Sequence, residues 1–138
     1  MITPKVVRRF DLSKTTFIIP LRIETEDRMR NIITTLIYLT RNFNTKVIVK
    51  EVDKESIYER EVLPLLEQAL EPDMLASIHH IFEQSDEFTF HRTKILNDML
   101  WMVDTPVVAN YDSDILLPLE SYINATNMIS KGWVHPDA

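Results

Sequence analysis

The sequence predicts an α/β domain in which helices flank a mostly parallel sheet. Three observations carry this. Short β-branched runs alternate with stretches of helical periodicity, the pattern of parallel strands joined by crossover helices. The chain has 138 residues, which suits one domain with one core. Its apolar content of 45% is ordinary for a globular protein, and no repeat or low-complexity segment interrupts it.

The first strand is expected at Thr15 to Pro20 (TTFIIP). A helix follows from Thr25 to Phe43, because Met29, Ile32, Ile33, Leu36, Leu39 and Phe43 recur at helical spacing. Glu26 and Asp27 fall in its first turn, where the helix dipole favours negative charge. The second strand is Lys46 to Val52 (KVIVKEV). Residues 54–85 read as two helical pieces split near Pro72. One carries Ile57, Val62, Leu65, Leu66 and Leu70, the other Met74, Leu75, Ile78, Ile81 and Phe82. His79 and His80, adjacent on that second piece, would point about 100° apart and form no ligand pair. A short strand is expected at Glu87 to Phe90, then a helix from Arg92 to Val103 and a strand from Val107 to Tyr111. A last helix, Leu119 to Lys131, would end at Gly132 as its C′ residue.

Composition narrows function. A formal net charge of -6 argues against a nucleic-acid surface, which needs a basic patch. It also means that a diphosphate ligand would need a metal or local arginines. With no cysteine there is no disulfide framework or thiolate metal site, which fits a reducing, cytoplasmic compartment. No apolar run is long enough to span a bilayer, and the start MITPKVVRRFD lacks the apolar core of a signal peptide. The single glycine, Gly132, excludes a P-loop and a glycine-rich dinucleotide fingerprint.

Three places could carry chemistry. In VVANYDSDILLP, Val107 to Pro118, an apolar run opens onto Asp112 and Asp114. Alternate residues on a strand share a face, so the two carboxylates could aim at one Mn²⁺ or Mg²⁺, outside the carboxyl end of a strand where α/β sheets bind ligands. The plain alternative is a solvated acidic turn. In FHRTKILNDML, Phe90 to Leu100, Arg92 and Lys94 stand at a helix start, where free N–H groups favour an anion and Arg92 could grip a phosphate. Alternatively both only solvate the helix end. At the end of the second strand, Glu51 to Asp53, an acidic side chain could accept hydrogen bonds from a base or ribose; the plain alternative is an exposed charge at Glu51 and an N-cap at Asp53.

Together these blocks resemble the nucleotide-binding half of GT-A fold glycosyltransferases. TTFIIPLRIETEDR is similar to the opening of family-2-type transferases. FHRTKILNDML is similar to the F-N-R-A-K-L-L-N segment of β-1,4-galactosyltransferases and chondroitin-polymerase-like enzymes, and VVANYDSDILLP to their D-x-D segment. The resemblance implies a Rossmann-like sheet and a UDP-sugar donor of galactosyl or N-acetylhexosaminyl type. It implies inverting transfer to a carbohydrate or glycoconjugate acceptor, with Mn²⁺ or Mg²⁺ as cofactor. It places Pro20, Leu21 and Arg22 by the uridine and diphosphate, Glu51 at the base, Arg92 near the diphosphate, Asp112 near the ribose and sugar, and Asp114 on the metal. His91 replaces the family asparagine and takes no role.

Complete enzymes of this type continue into an acceptor-binding half that supplies the catalytic base. With Ala138 last, that half is expected to be missing, and the chain alone to bind a nucleotide sugar without transferring it. An uncovered sheet edge or apolar surface could then drive homodimerisation. The rival reading is a non-catalytic nucleotide-sugar-binding or interaction module with the same fold. A nucleotidyltransferase is disfavoured by the lack of a glycine-rich phosphate loop.

Overall fold

A computed structural model describes residues 9–111. Four strands form one parallel sheet in the order β3-β2-β1-β4: β1 (Phe10–Leu21), β2 (Phe43–Asp53), β3 (Ile78–Gln84) and β4 (Val107–Asn110). The helices are α1 (Glu26–Asn42), α2 (Leu63–Ala69), α3 (Pro72–Ala76) and α4 (Arg92–Leu100). The expected α/β class and parallel sheet are therefore present.

Strand alternation sends side chains to two layers. Phe17, Ile19 and Leu21 of β1 and Val47 and Val49 of β2 pack against Ile32, Leu36 and Leu39 of α1 and Leu66 of α2. Ile18, Ile48 and Val52 face the other way, onto Ile95 and Met99 of α4. The sheet thus lies between α1 to α3 on one side and α4 on the other. β1 to β2 to β3 steps outward in one direction. The connection through α4 then crosses back and sets β4 on the far side of β1. Reversing the direction of winding puts the returning helix on the opposite face.

Local chemistry explains the boundaries. Thr25 caps α1, its hydroxyl accepting from the Arg28 N–H at 3.1 Å. A π-helical turn at Tyr58–Val62 leads into α2, and the Leu63 N–H reaches back five residues to the Tyr58 carbonyl. Pro64 follows directly; it has no N–H and its ring crowds the carbonyl four residues back, so the wider turn suits it.

Several expectations need correction. The second helical piece of residues 54–85 is only the five-residue α3; Ile78, Ile81 and Phe82 belong to the edge strand β3. His79 and His80 consequently point to opposite faces of a strand rather than around a helix. Glu87 to Phe90 forms no strand and leads through bends into α4. That helix stops at Leu100, short of Val103. β1 begins at Phe10, earlier than Thr15, with an irregularity in its pairing between Asp11 and Thr16. The expected helix Leu119 to Lys131 lies outside the described residues.

Candidate functional site

β4 pairs with β1 only as far as Asn110 beside Ile18, while β1 continues beside β2 to Leu21. Among the described residues the last turn of β1 is therefore free on its β4 side. Pro20, which has no N–H to give a ladder, stands there without loss. This is the point where the strand order reverses, the place where open α/β sheets form a ligand crevice.

A cleft of about 290 Å³ occupies it, lined by Pro20, Arg22, Glu24, Thr25, Arg28, Phe90 and Arg92. Each guanidinium arrives from a different element. Arg22 leaves the end of β1; its Nε donates to the Val52 carbonyl at 2.8 Å and its Nη1 to the Phe88 carbonyl at 2.9 Å. The same group lies 5.3 Å from the centre of the Phe90 ring. Arg28 comes from the first turn of α1, and Arg92 opens α4. Arg92 Nη2 donates to Asn110 Oδ1 at 3.3 Å, tying the start of α4 to the end of β4. The loop before α4 carries Phe88, whose side chain is 98% exposed.

Of the residues singled out from the sequence, Pro20, Arg22 and Arg92 meet in this cleft. Leu21 does not: it is buried against α1, because the residue after Pro20 on a strand must face the opposite layer. Glu51 is not on the lining either. It is 0% exposed, and both carboxylate oxygens are occupied from within. Ser56 Oγ donates to it at 2.7 Å, the N–H groups of Ile57 and Tyr58 at 3.0 and 3.2 Å, and His80 Nε2 lies 3.0 Å away. Glu51 thus holds the turn that begins the π-helical segment. Asp53, the expected cap, instead accepts from its neighbour Lys54 N–H at 2.7 Å. Asp112 and Asp114 lie outside the described residues, which end at Tyr111.

Burial pushes the Glu51 carboxyl up, but hydrogen bonds from His80, Ser56 and Tyr58, with the His80 charge, outweigh it and hold the group below the ordinary carboxylate value. Burial first, and then the Glu51 charge, push the Tyr58 hydroxyl far up, so it stays neutral. The Tyr58 ring stacks on His80 at 4.0 Å. A second buried charge, Lys50, faces the α4 layer between Glu83 at 3.4 Å and Asp98 at 3.7 Å.

Arg28, Thr25, Glu24 and Phe90 were not anticipated as cleft residues. A signal existed for Arg28. A cation in the first turn of a helix opposes the dipole, at a cost of roughly 0.3–1 kcal/mol. Arg28 and Arg92 both sit so, while Arg41 obeys the rule in the last turn of α1. Such local misfits concentrate where function outweighs stability.

Among the described residues, no group of three or more His, Cys, Asp or Glu side chains could hold a metal ion. Among the described residues Glu24 is the one carboxylate on the cleft lining, so those residues do not make a cation site by themselves. No described helix is long and apolar enough to cross a membrane. In sequence the chain matches no family model and no curated protein.

Proposed function

We propose that this domain binds the donor of a glycosyltransferase, a UDP-sugar of galactosyl or N-acetylhexosaminyl type, in the arginine-lined cleft. One observation carries the reading: three guanidinium groups from three elements line one cleft at the sheet's switch point, beside the end of β4. A pyrophosphate ester needs planar, bidentate donors held apart, and arginine supplies them. The carbonyls of Val52 and Phe88 hold Arg22 in place before the ligand arrives. Phe90 presents an apolar face beneath it.

In inverting transfer an acceptor hydroxyl attacks the anomeric carbon from the side opposite the diphosphate. The bond from that carbon to the diphosphate oxygen breaks, its electron pair leaves on the nucleoside diphosphate, and the hydroxyl proton passes to a base. Arg22 and Arg92 face the charge that grows on the leaving oxygens, where fixed positive groups stabilise the transition state most. Mn²⁺ or Mg²⁺, held by Asp114 and Asp112, would supply Lewis-acid charge to the same leaving group.

Calorimetric titration of UDP-galactose, UDP-N-acetylglucosamine, UDP and UMP tests the proposal, with Mn²⁺ present and on wild type and Asp114→Ala. Saturable binding stronger for UDP than for UMP is expected, weakened in the variant. A folded protein that binds none of the four overturns it. Donor binding with no turnover on any sugar acceptor favours the non-catalytic module instead.

A further inference from the structure

The strand order leaves β3 at one end of the sheet, and among the described residues it pairs with β2 alone. An edge strand presents a row of N–H and C=O groups that can template another strand, and proteins usually blunt it with lysine, proline or a bulge. IHHIFEQ, Ile78–Gln84, has none of the three. Its pairing runs without a shift from Ile78 beside Val47 to Gln84 beside Asp53.

Two hydrogen bonds fix which backbone groups of β3 point outward. The Val47 N–H donates to the Ser77 carbonyl and the Ser85 N–H to the Asp53 carbonyl, both at 2.9 Å. Backbone groups alternate along a strand, so those of His79, Ile81 and Glu83 also face β2. Those of Ile78, His80, Phe82 and Gln84 face away from it. A second β3, antiparallel about a twofold axis, must exchange its bonds with these outward residues. An axis between two residues would set outward against inward groups and is ruled out. An axis at His80 sets His80 against itself and His79 against Ile81; one at Phe82 sets Ile81 against Glu83. An axis at Ile81 instead pairs all seven residues of the strand. His80 then lies opposite Phe82 and Ile78 opposite Gln84 in the hydrogen-bonded pairs. Ile81 meets its own copy and His79 faces Glu83 on either side of it, in the non-hydrogen-bonded pairs where side chains come closest. His79 and Glu83 are both exposed, the Glu83 side chain at 57% despite Lys50 at 3.4 Å. An imidazole N–H donates well to a carboxylate. This register therefore joins donor to acceptor at both ends and apolar to apolar in the middle.

We infer that the chain forms a homodimer through β3, antiparallel about Ile81, which joins two four-stranded sheets into one continuous sheet. β3 and β4 are opposite edges, so the cleft beside β4 stays open in both copies, and the inference stands apart from what that cleft binds.

The test is light scattering and cysteine cross-linking on the whole chain. Seven strand residues from each copy make a small interface, so the mass should pass from one chain to two as concentration rises over roughly 1 to 300 µM. The chain has no cysteine, so introduced ones report the register. Opposed residues of a non-hydrogen-bonded pair stand about 4.5 Å apart at Cα, within reach of a disulfide. Ile81→Cys should cross-link under mild oxidation. His79→Cys alone should not, because its two copies lie roughly 13 Å apart along the strands, but it should when mixed with Glu83→Cys. His79→Glu sets a second carboxylate against the partner's Glu83 and should raise the dissociation constant about tenfold; mixing it with Glu83→Lys should restore the dimer. Circular dichroism checks that each variant folds. A wild type that stays monomeric over that range overturns the inference, whether hydrogen exchange then finds the β3 amides covered by another part of the same chain or open to water. A dimer in which Ile81→Cys fails to cross-link, or that is indifferent to His79→Glu, uses another surface or register and overturns it too.

Discussion

At the residue scale, two buried polar groups have opposite fates. Glu51 is fully satisfied, whereas the Thr15 hydroxyl, 1% exposed, has no hydrogen-bond partner among the described residues. A buried hydroxyl without a partner costs about 1–3 kcal/mol. Thr15→Val keeps the branched shape and removes that oxygen. It should raise the urea midpoint, by about 1 kcal/mol of stability, and a drop would mean that the hydroxyl is satisfied after all. Glu51→Gln should do the reverse. It places an NH₂ group against the Ile57 and Tyr58 N–H donors and removes the buried carboxylate beside His80, at a cost of about 3 kcal/mol or more. The pH dependence follows in sign. The Glu51 carboxyl lies lower in the folded chain than in the unfolded one. Its stabilisation is therefore complete above the unfolded value, about 4.3, and is lost as pH falls through the folded value. Urea midpoints of wild type should drop in acid more than those of Glu51→Gln; parallel curves would assign the acid limb to other groups.

At the scale of elements, α4 shows how one residue can anchor a layer. Met99 is 0% exposed against Ile18, Ile48 and Val52, while Trp101, one turn-residue past the helix end, is 91% exposed. Met99→Ala should cost about 2–5 kcal/mol in thermal or urea unfolding. Trp101→Ala should stay within about 0.5 kcal/mol, despite its larger side chain. Equal losses would mean that Trp101 is covered. The same helix was legible in sequence because Ile95 and Met99 keep helical spacing over its whole length. β3 was not. Met74, Leu75, Ile78, Ile81 and Phe82 satisfy the three-and-four spacing of a helix as well as they satisfy anything else. As a half-buried edge strand, β3 lacks the continuous apolar run that marks a central one. What decides it is tertiary: β2 offers a free edge, and His79 and His80 can sit on opposite faces only in a strand, one beside Lys46 and Ile81, the other on Glu51. Nothing local to EFTF could show that Arg22 would claim the Phe88 carbonyl and leave that segment bent rather than extended.

At the scale of the whole molecule, the sheet and its order of winding place the cleft, and Pro20 at a strand end, Arg22 after it and Arg92 at a helix start could be read before the fold was known. Leu21 and Glu51 could not be sorted from them. Along a strand the side of the sheet is set by register, and the central strand β2 carries Lys50 and Glu51 on opposite faces, both buried. The same global view fixes the last prediction, the response of ligand binding to salt. A chain of net charge -6 repels an anionic nucleotide at long range, while the cleft arginines attract it at contact. Added salt weakens both, but not equally. Repulsion from charges farther from the cleft than the Debye length, about 10 Å at 0.1 M, is largely gone at modest salt. The contact attraction across a few ångströms in a half-buried cleft survives longer and dominates what remains. UDP affinity should therefore fall steadily as potassium chloride rises from roughly 0.05 M to roughly 0.5 M, by about a factor of ten if two guanidinium contacts carry the binding. Arg92→Ala should show a shallower slope as well as a weaker affinity. An affinity that rises with salt would mean that the acidic surface, not the arginine cleft, governs how this molecule meets an anion.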